Sequence, residues 1–210
     1  MPMPPTPPGV LLVAALHSEV LPFLSRMRGR SRLSTRLIAG TLVGVPVALL
    51  RCGVGESSAH RHTLGALQRY PASRVVSLGT CGALVDDLEV GDLVTAHAML
   101  EPADAQPIPI PGARPVVLAS VPRVVDTPRA RAAWAVRGAQ VCEMEAAAVL
   151  EAAQGRPFLA LKVVSDLAGA RRPRLRGVPF PVRKALFEIL AYRLVNRRLA
   201  PAIEVWLRGA

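Results

Sequence analysis

RVVSLGTCGAL, residues 74–84, decides the fold. Its first half, Arg74 to Leu78, is short, apolar and β-branched, so it reads as a core strand, and Gly79-Thr80-Cys81-Gly82 breaks it. The same design recurs on both sides. Toward the N-terminus, Val10 to Leu16 is a second fully buried strand, and Glu19 stands where it should end. Val20, Phe23, Leu24 and Met27 then follow as one face of a helix. Arg36 to Ala39 and Thr41 to Arg51, around Gly40, Gly44 and Pro46, read as a hairpin leading into a core strand that ends at CGVGES. Ser57 to Tyr70 reads as a helix with serine caps, closed by Pro71.

Toward the C-terminus, Leu93 to Ala98 is another strand, and Glu101 to Pro115, with five prolines, is an irregular surface loop. Thr127-Pro128 starts a helix that runs to Gly138, with Thr as cap and Pro at the first helical position. VCEMEAAAVLEAAQ, from Val141, reads as an Ala-rich helix, and PFLALKVVSD as an apolar strand that ends in an acid. Pro181 to Leu207 reads as one long amphipathic helix or a pair broken at Pro201. Strands that alternate with helices in this way make an α/β fold.

The chain has 210 residues, 51% of them hydrophobic, which suits one domain over residues 10–210 behind a disordered lead, MPMPPTPPGV. Charged residues interrupt each apolar run, so no spanning helix is expected, and the lead lacks the basic start of a secretory signal. Cys52, Cys81 and Cys142 show neither disulfide nor zinc spacing, and the compartment expected is the cytoplasm. The net charge of +11 reflects arginine usage more than a nucleic-acid partner, because 4% aromatic content leaves little for base stacking.

In open α/β folds, ligands bind beyond the carboxyl ends of the strands. That points to Glu19, the Gly53-Val54-Gly55 turn, the Gly79-Thr80-Cys81-Gly82 turn and Ser165-Asp166. Glu143 and Glu145 add an acidic pair inside an apolar, Ala-rich run, where an unpartnered carboxylate is costly.

Taken in order, SLGTCGAL with VGDLV, CEMEAAAV and LKVVSD resembles the motif set of the nucleoside phosphorylase and nucleosidase superfamily, over roughly residues 10–168. ALHSEV is similar to its hydrolytic branch, which includes methylthioadenosine and S-adenosylhomocysteine nucleosidases, futalosine hydrolases and hopanoid-associated relatives. The resemblance implies a three-layer α/β sandwich with a central mixed sheet flanked by helices, a nucleoside substrate and a homodimer, while carboxylates dispersed along the chain rather than clustered at ligand spacings imply no metal or organic cofactor. The resemblance assigns Asp166 to protonation of the leaving base, with Ser165 to orient it, and Glu19 to activation of water. Glu145 would grip the ribose, with Met144 beneath the sugar, although Met144 serves equally as plain core. Thr80, Cys81 and Gly82 would line the site, and Thr80 can donate to the water or the ribose.

The chain also departs from the methylthioadenosine enzymes. Its proline loop replaces their longer closing segment, and Val124 and Val125 stand where they place a stacking Phe. Three functions therefore stay open: hydrolysis of an N-ribosidic bond, phosphorolysis with phosphate held by arginines such as Arg51 or Arg61, and nucleoside binding without catalysis. The segment Arg171 to Arg198 carries nine basic residues and one acid, Glu188, with apolar residues at Val182, Leu186, Ile189, Leu190 and Leu194. It reads either as a packing helix with a solvated cationic face or as a contact with anionic membrane.

Overall fold

The computed structural model describes residues 9–100, 110, 112–167 and 179–209. Strand and helix follow one another as β1 (Val10–Ala14), α1 (His17–Leu24), β2 (Arg28–Arg32), β3 (Leu37–Leu42), β4 (Val45–Arg51), α2 (Glu56–Arg69), β5 (Arg74–Ala83), β6 (Leu93–Met99), β7 (Arg114–Ser120), α3 (Pro128–Val136), β8 (Val141–Glu143), α4 (Ala146–Ala153), β9 (Phe158–Asp166), α5 (Phe180–Leu194) and α6 (Ala200–Arg208). Residues 1–8 of the lead, most of the proline loop, and Arg171 to Arg176 of the basic segment lie outside the described residues.

One mixed sheet joins all nine strands in the order β2-β3-β4-β1-β5-β8-β7-β6-β9. β9 also pairs with β5, so β5, β8, β7, β6 and β9 close into a ring, and β1, β4, β3 and β2 extend from it as an open sheet. β2 is the sheet's open edge among the described residues, and all five of its residues are exposed. β1 explains why its sequence runs apolar without alternation. Leu11 and Val13 face a core shared with α2 and α4, while Val10, Leu12 and Ala14 face a second core shared with α1 and the C-terminal helix. This is the three-layer α/β arrangement expected. None of the described helices is long and apolar enough to cross a membrane.

Four local expectations need correction. β5 does not stop at Gly79; it continues to Ala83 because β9 offers a parallel partner from Val75 opposite Phe158 to Gly82 opposite Asp166. The glycines sit inside the strand. The run from Val141 is not all helix: Val141–Glu143 pairs with β7 and β5, and the helix begins only at Ala146. Gly55, not a serine, caps α2, and the Ser58 hydroxyl donates to the Cys52 carbonyl at 2.7 Å. The C-terminal helix neither breaks at Pro201 nor runs uniformly. A π-helical turn over Val195–Leu199 widens it just before that proline, whose ring would crowd a regular helix. The hairpin between β3 and β4 turns at Val43-Gly44, both at positive φ, as a two-residue turn requires. Thr127 accepts from the Ala130 amide and caps α3 as expected.

Candidate active site

Glu19 lies in the first turn of α1, buried to 3% exposure. Its Oε2 accepts from the Ala15 and Leu16 amides at 3.2 and 3.1 Å, and its Oε1 from the Thr80 amide and hydroxyl at 2.8 and 3.1 Å. The Leu16 contact is an ordinary helix-capping bond, but a solvated helix-start glutamate would be neither buried nor bonded to Thr80. Thr80 thus spends its hydroxyl on Glu19 rather than on a ligand. Gly79 leaves room for the carboxylate: a Cβ there would stand 2.7 Å from Glu19 Oε1. Burial raises the Glu19 pKa, against the opposing pull of the Thr80 amide and the Lys162 charge.

A buried ammonium sits at the centre of the acidic residues. Lys162, in the middle of β9, places Nζ 3.0 Å from Glu143 Oε2 and 3.0 Å from the Ser77 hydroxyl. Burial pushes its pKa down, but the charges of Glu143 and Glu145 outweigh that and raise it. Glu143 is saturated, with its carboxylate accepting from the Ser120 hydroxyl at 2.6 Å and from the Glu145 and Ala146 amides at 3.1 and 3.0 Å. It is a structural knot that closes the start of α4.

Glu145 is more open. It precedes α4 instead of lying inside a helix, and its Oε1 accepts from the Gly55 amide at 2.8 Å. Gly55 supplies that amide from a backbone at φ 91°, which glycine adopts without strain. Burial, then the charge of Glu143, pushes Glu145 up to about 7.

Asp166 ends β9 beside Gly82, where a Cβ would come within 3.3 Å of its carboxylate. The Ser165 hydroxyl lies 2.9 Å from Asp166 Oδ1 and 3.1 Å from the Cys81 carbonyl, and can donate to one at a time. Arg131, buried on α3, pairs with Asp166 through Nη2 and donates through Nη1 to the Ala83 and Leu167 carbonyls at 3.0 and 2.7 Å. One guanidinium thereby ties the ends of β5 and β9 to the candidate acid.

Cys81 takes part through its carbonyl. Its thiol packs in the core, where burial holds its pKa well above the usual value. Met144 and Val125 share a small apolar cluster with Trp134 and Leu84, and Val124 is exposed. The structure therefore gathers Glu19, Thr80 and Gly79 at one carboxylate, and Asp166, Ser165, Cys81 and Gly82 at another. Glu145 reaches the Gly53–Gly55 turn. Arg61 lines a groove with Arg36 and Arg69 that contains none of the three carboxylates Glu19, Glu145 and Asp166.

Sequence reasoning missed Lys162 and Arg131. A lone cation inside the apolar run LALKVV was a usable signal, because a buried charge needs a partner. Arg131 had none, being one of two arginines on a short helix in an arginine-rich chain.

Comparisons with known proteins bear on the family and the fold. The sequence profile of the Phosphorylase superfamily matches residues 5–117. A 5'-methylthioadenosine/S-adenosylhomocysteine nucleosidase of Shewanella sp. (strain MR-7) is 31% identical over 86 residues, covering 40% of this chain and 36% of the relative. The chain thus spans about a third of the length of the curated relatives it matches. In fold it is similar to the nucleosidase of the same description from Neisseria meningitidis, crystallised with methylthio-immucillin-A, with a TM-score of 0.75 at 19% identity. That likeness covers 94% of this chain and 99% of the other. Futalosine hydrolase of Helicobacter pylori superposes with a TM-score of 0.74 at 16% identity, covering 97% and 98%. With more than half of its length matched by the profile and nearly all of it by the fold, the chain belongs to the phosphorylase superfamily.

Proposed function

We propose that this chain is a nucleosidase that hydrolyses the N-ribosidic bond of a purine nucleoside-like substrate to free base and sugar. The observation that carries the reading is the placement of two carboxylates along one strand pair. Glu19 lies over Gly79, and Asp166 lies over Gly82, three residues further along β5. Bond cleavage builds oxocarbenium-like charge on the sugar and needs a proton on the departing base. Asp166 in its protonated form, oriented by Ser165, delivers that proton, and Arg131 then pairs with the carboxylate that remains. Glu19, held as an acceptor by three backbone amides and a hydroxyl, takes a proton from the attacking water. Glu145 binds ribose hydroxyls and, once ionised, faces the developing positive charge.

Phosphorolysis fits less well. Glu19, Glu143 and Glu145 surround a single ammonium, which leaves an acidic neighbourhood where an inorganic anion would have to bind. The family resemblance also supports a homodimer, which light scattering on the purified chain checks.

Free-base release from methylthioadenosine, S-adenosylhomocysteine, futalosine and inosine, with and without phosphate, tests the reaction. Hydrolysis predicts base and free sugar in phosphate-free buffer; ribose 1-phosphate formed only with added phosphate would overturn it. D166N and E19Q each lose about a hundredfold or more in kcat with the fold intact. Near-normal turnover in either variant removes that residue from the chemistry.

A further inference from the structure

We propose that the outward face of α5 docks on the surface of an anionic lipid bilayer. This rests on the helix itself and holds whichever reaction the site performs. α5 packs inward on α1 and β9, burying Ala191 and half-burying Phe187 and Leu194. Its opposite side is apolar and open to solvent: Val182 is 47% exposed, Leu186 51%, Ile189 51%, Leu190 37% and Tyr192 38%.

Exposed apolar side chains scattered singly are ordinary, but these five make up nearly half of the large ones on the described surface, and they share one helix. Val182, Leu186 and Ile189 stand at i, i+4 and i+7 and form a single stripe, with Leu190 and Tyr192 on its flanks. The packing-helix reading of the sequence placed these residues on the packed side. The structure turns that side to solvent.

Charge selects the occupant. Arg183, Lys184 and Arg193 are exposed on the same helix, with Glu188 its one acid, and Arg197 and Arg198 follow in the widened turn. Two copies paired through this face would bring like charges together and leave them only half-buried acids to meet. A nucleic acid would answer the cations and leave the apolar stripe wet. An anionic bilayer satisfies both: the aliphatic side chains enter the headgroup boundary while the guanidinium and ammonium groups snorkel to the phosphates. At fifteen residues the helix is about 22 Å long, enough to lie flat on such a surface. α5 also packs against α1, which carries Glu19, so a docked face lies beside the candidate site's own elements.

The test is sedimentation of the full chain with phosphatidylglycerol-rich and with pure phosphatidylcholine vesicles, at low and at high salt. Binding should favour the anionic vesicles by about tenfold or more and weaken several-fold in high salt. L186S/I189S and R183E/R193E should each reduce binding by about tenfold, with circular dichroism and release of base from a soluble nucleoside unchanged. Absence from both pellets overturns the proposal. So does binding that ignores the α5 variants and instead falls with R28E/R30E/R32E. A third overturning result is a wild-type dimer in light scattering that L186S/I189S dissolves, since a second copy would then own the face.

Discussion

Glu145 is caught between two demands. Its role at the sugar calls for a carboxylate, yet burial and Glu143 push its pKa up to about 7 from the ordinary 4.5. Between those values the folded chain keeps a proton that the unfolded chain has released. The resulting stabilisation is complete below about 4.5 and is lost as pH rises through about 7. E145Q has no such proton to lose. Its unfolding free energy should therefore exceed that of the wild type at pH 8, by on the order of 3 kcal/mol or less, and converge with it near pH 4. Turnover should move oppositely, with wild-type base release rising as pH increases through about 7 and E145Q low throughout. An E145Q chain that melts below the wild type at pH 8 would show instead that the carboxylate holds the fold together, through Gly55 and Lys162.

At the scale of elements, β5 does two jobs at once: it is the sheet's central strand and the floor under both candidate catalytic carboxylates. Gly79, at φ 140°, is where the jobs meet, because any side chain there strains the backbone and strikes Glu19. G79A should lower kcat by about a hundredfold through a displaced carboxylate. G44A, at φ 86° with open space around it, should show backbone strain on the order of 1 kcal/mol and normal turnover. Equal activity in the two variants would mean that Glu19 tolerates displacement. Unbroken apolar runs and a capped helix start were legible in the sequence: β1, β9, and α3 with its Thr127 cap all fall within two residues of where they were expected. β8 was not, because three residues, Val141 to Glu143, ahead of an Ala-rich helix carry no period of their own and become a strand only through β7 and β5. The error moved Glu145 into a helix interior that it does not occupy. Asp166, Ser165 and Glu19 were legible because they follow apolar runs directly. Arg131 reaches the site from a distant helix, a placement that exists only in three dimensions. The π-helical turn likewise follows from packing: Ala191, Val195, Leu199 and Ile203, all buried, are spaced by four, and a regular helix would rotate that row by about 40° at each step.

For the molecule as a whole, ring closure among β5, β8, β7, β6 and β9 leaves one strand with a neighbour on one side only among the described residues, and that strand is β2. It reads RGRSR, its pairing with β3 slips between Arg28 and Ser31, and every residue is exposed. No hydrophobic alternation announced it as a strand, which is why the sequence concealed it. An open edge is a template on which a second chain can extend the sheet, and charge together with an irregular register are the two devices that discourage it. Part of the cationic excess of this protein thus acts as a guard against aggregation. R28T/R30T/R32T should leave the unfolding free energy within about 0.5 kcal/mol of the wild type, yet turn cloudy at lower protein concentration on warming. Unchanged turbidity would make those arginines bystanders. The expected outcome makes the strand that contributes least to the core the one that keeps neighbouring molecules from joining their sheets.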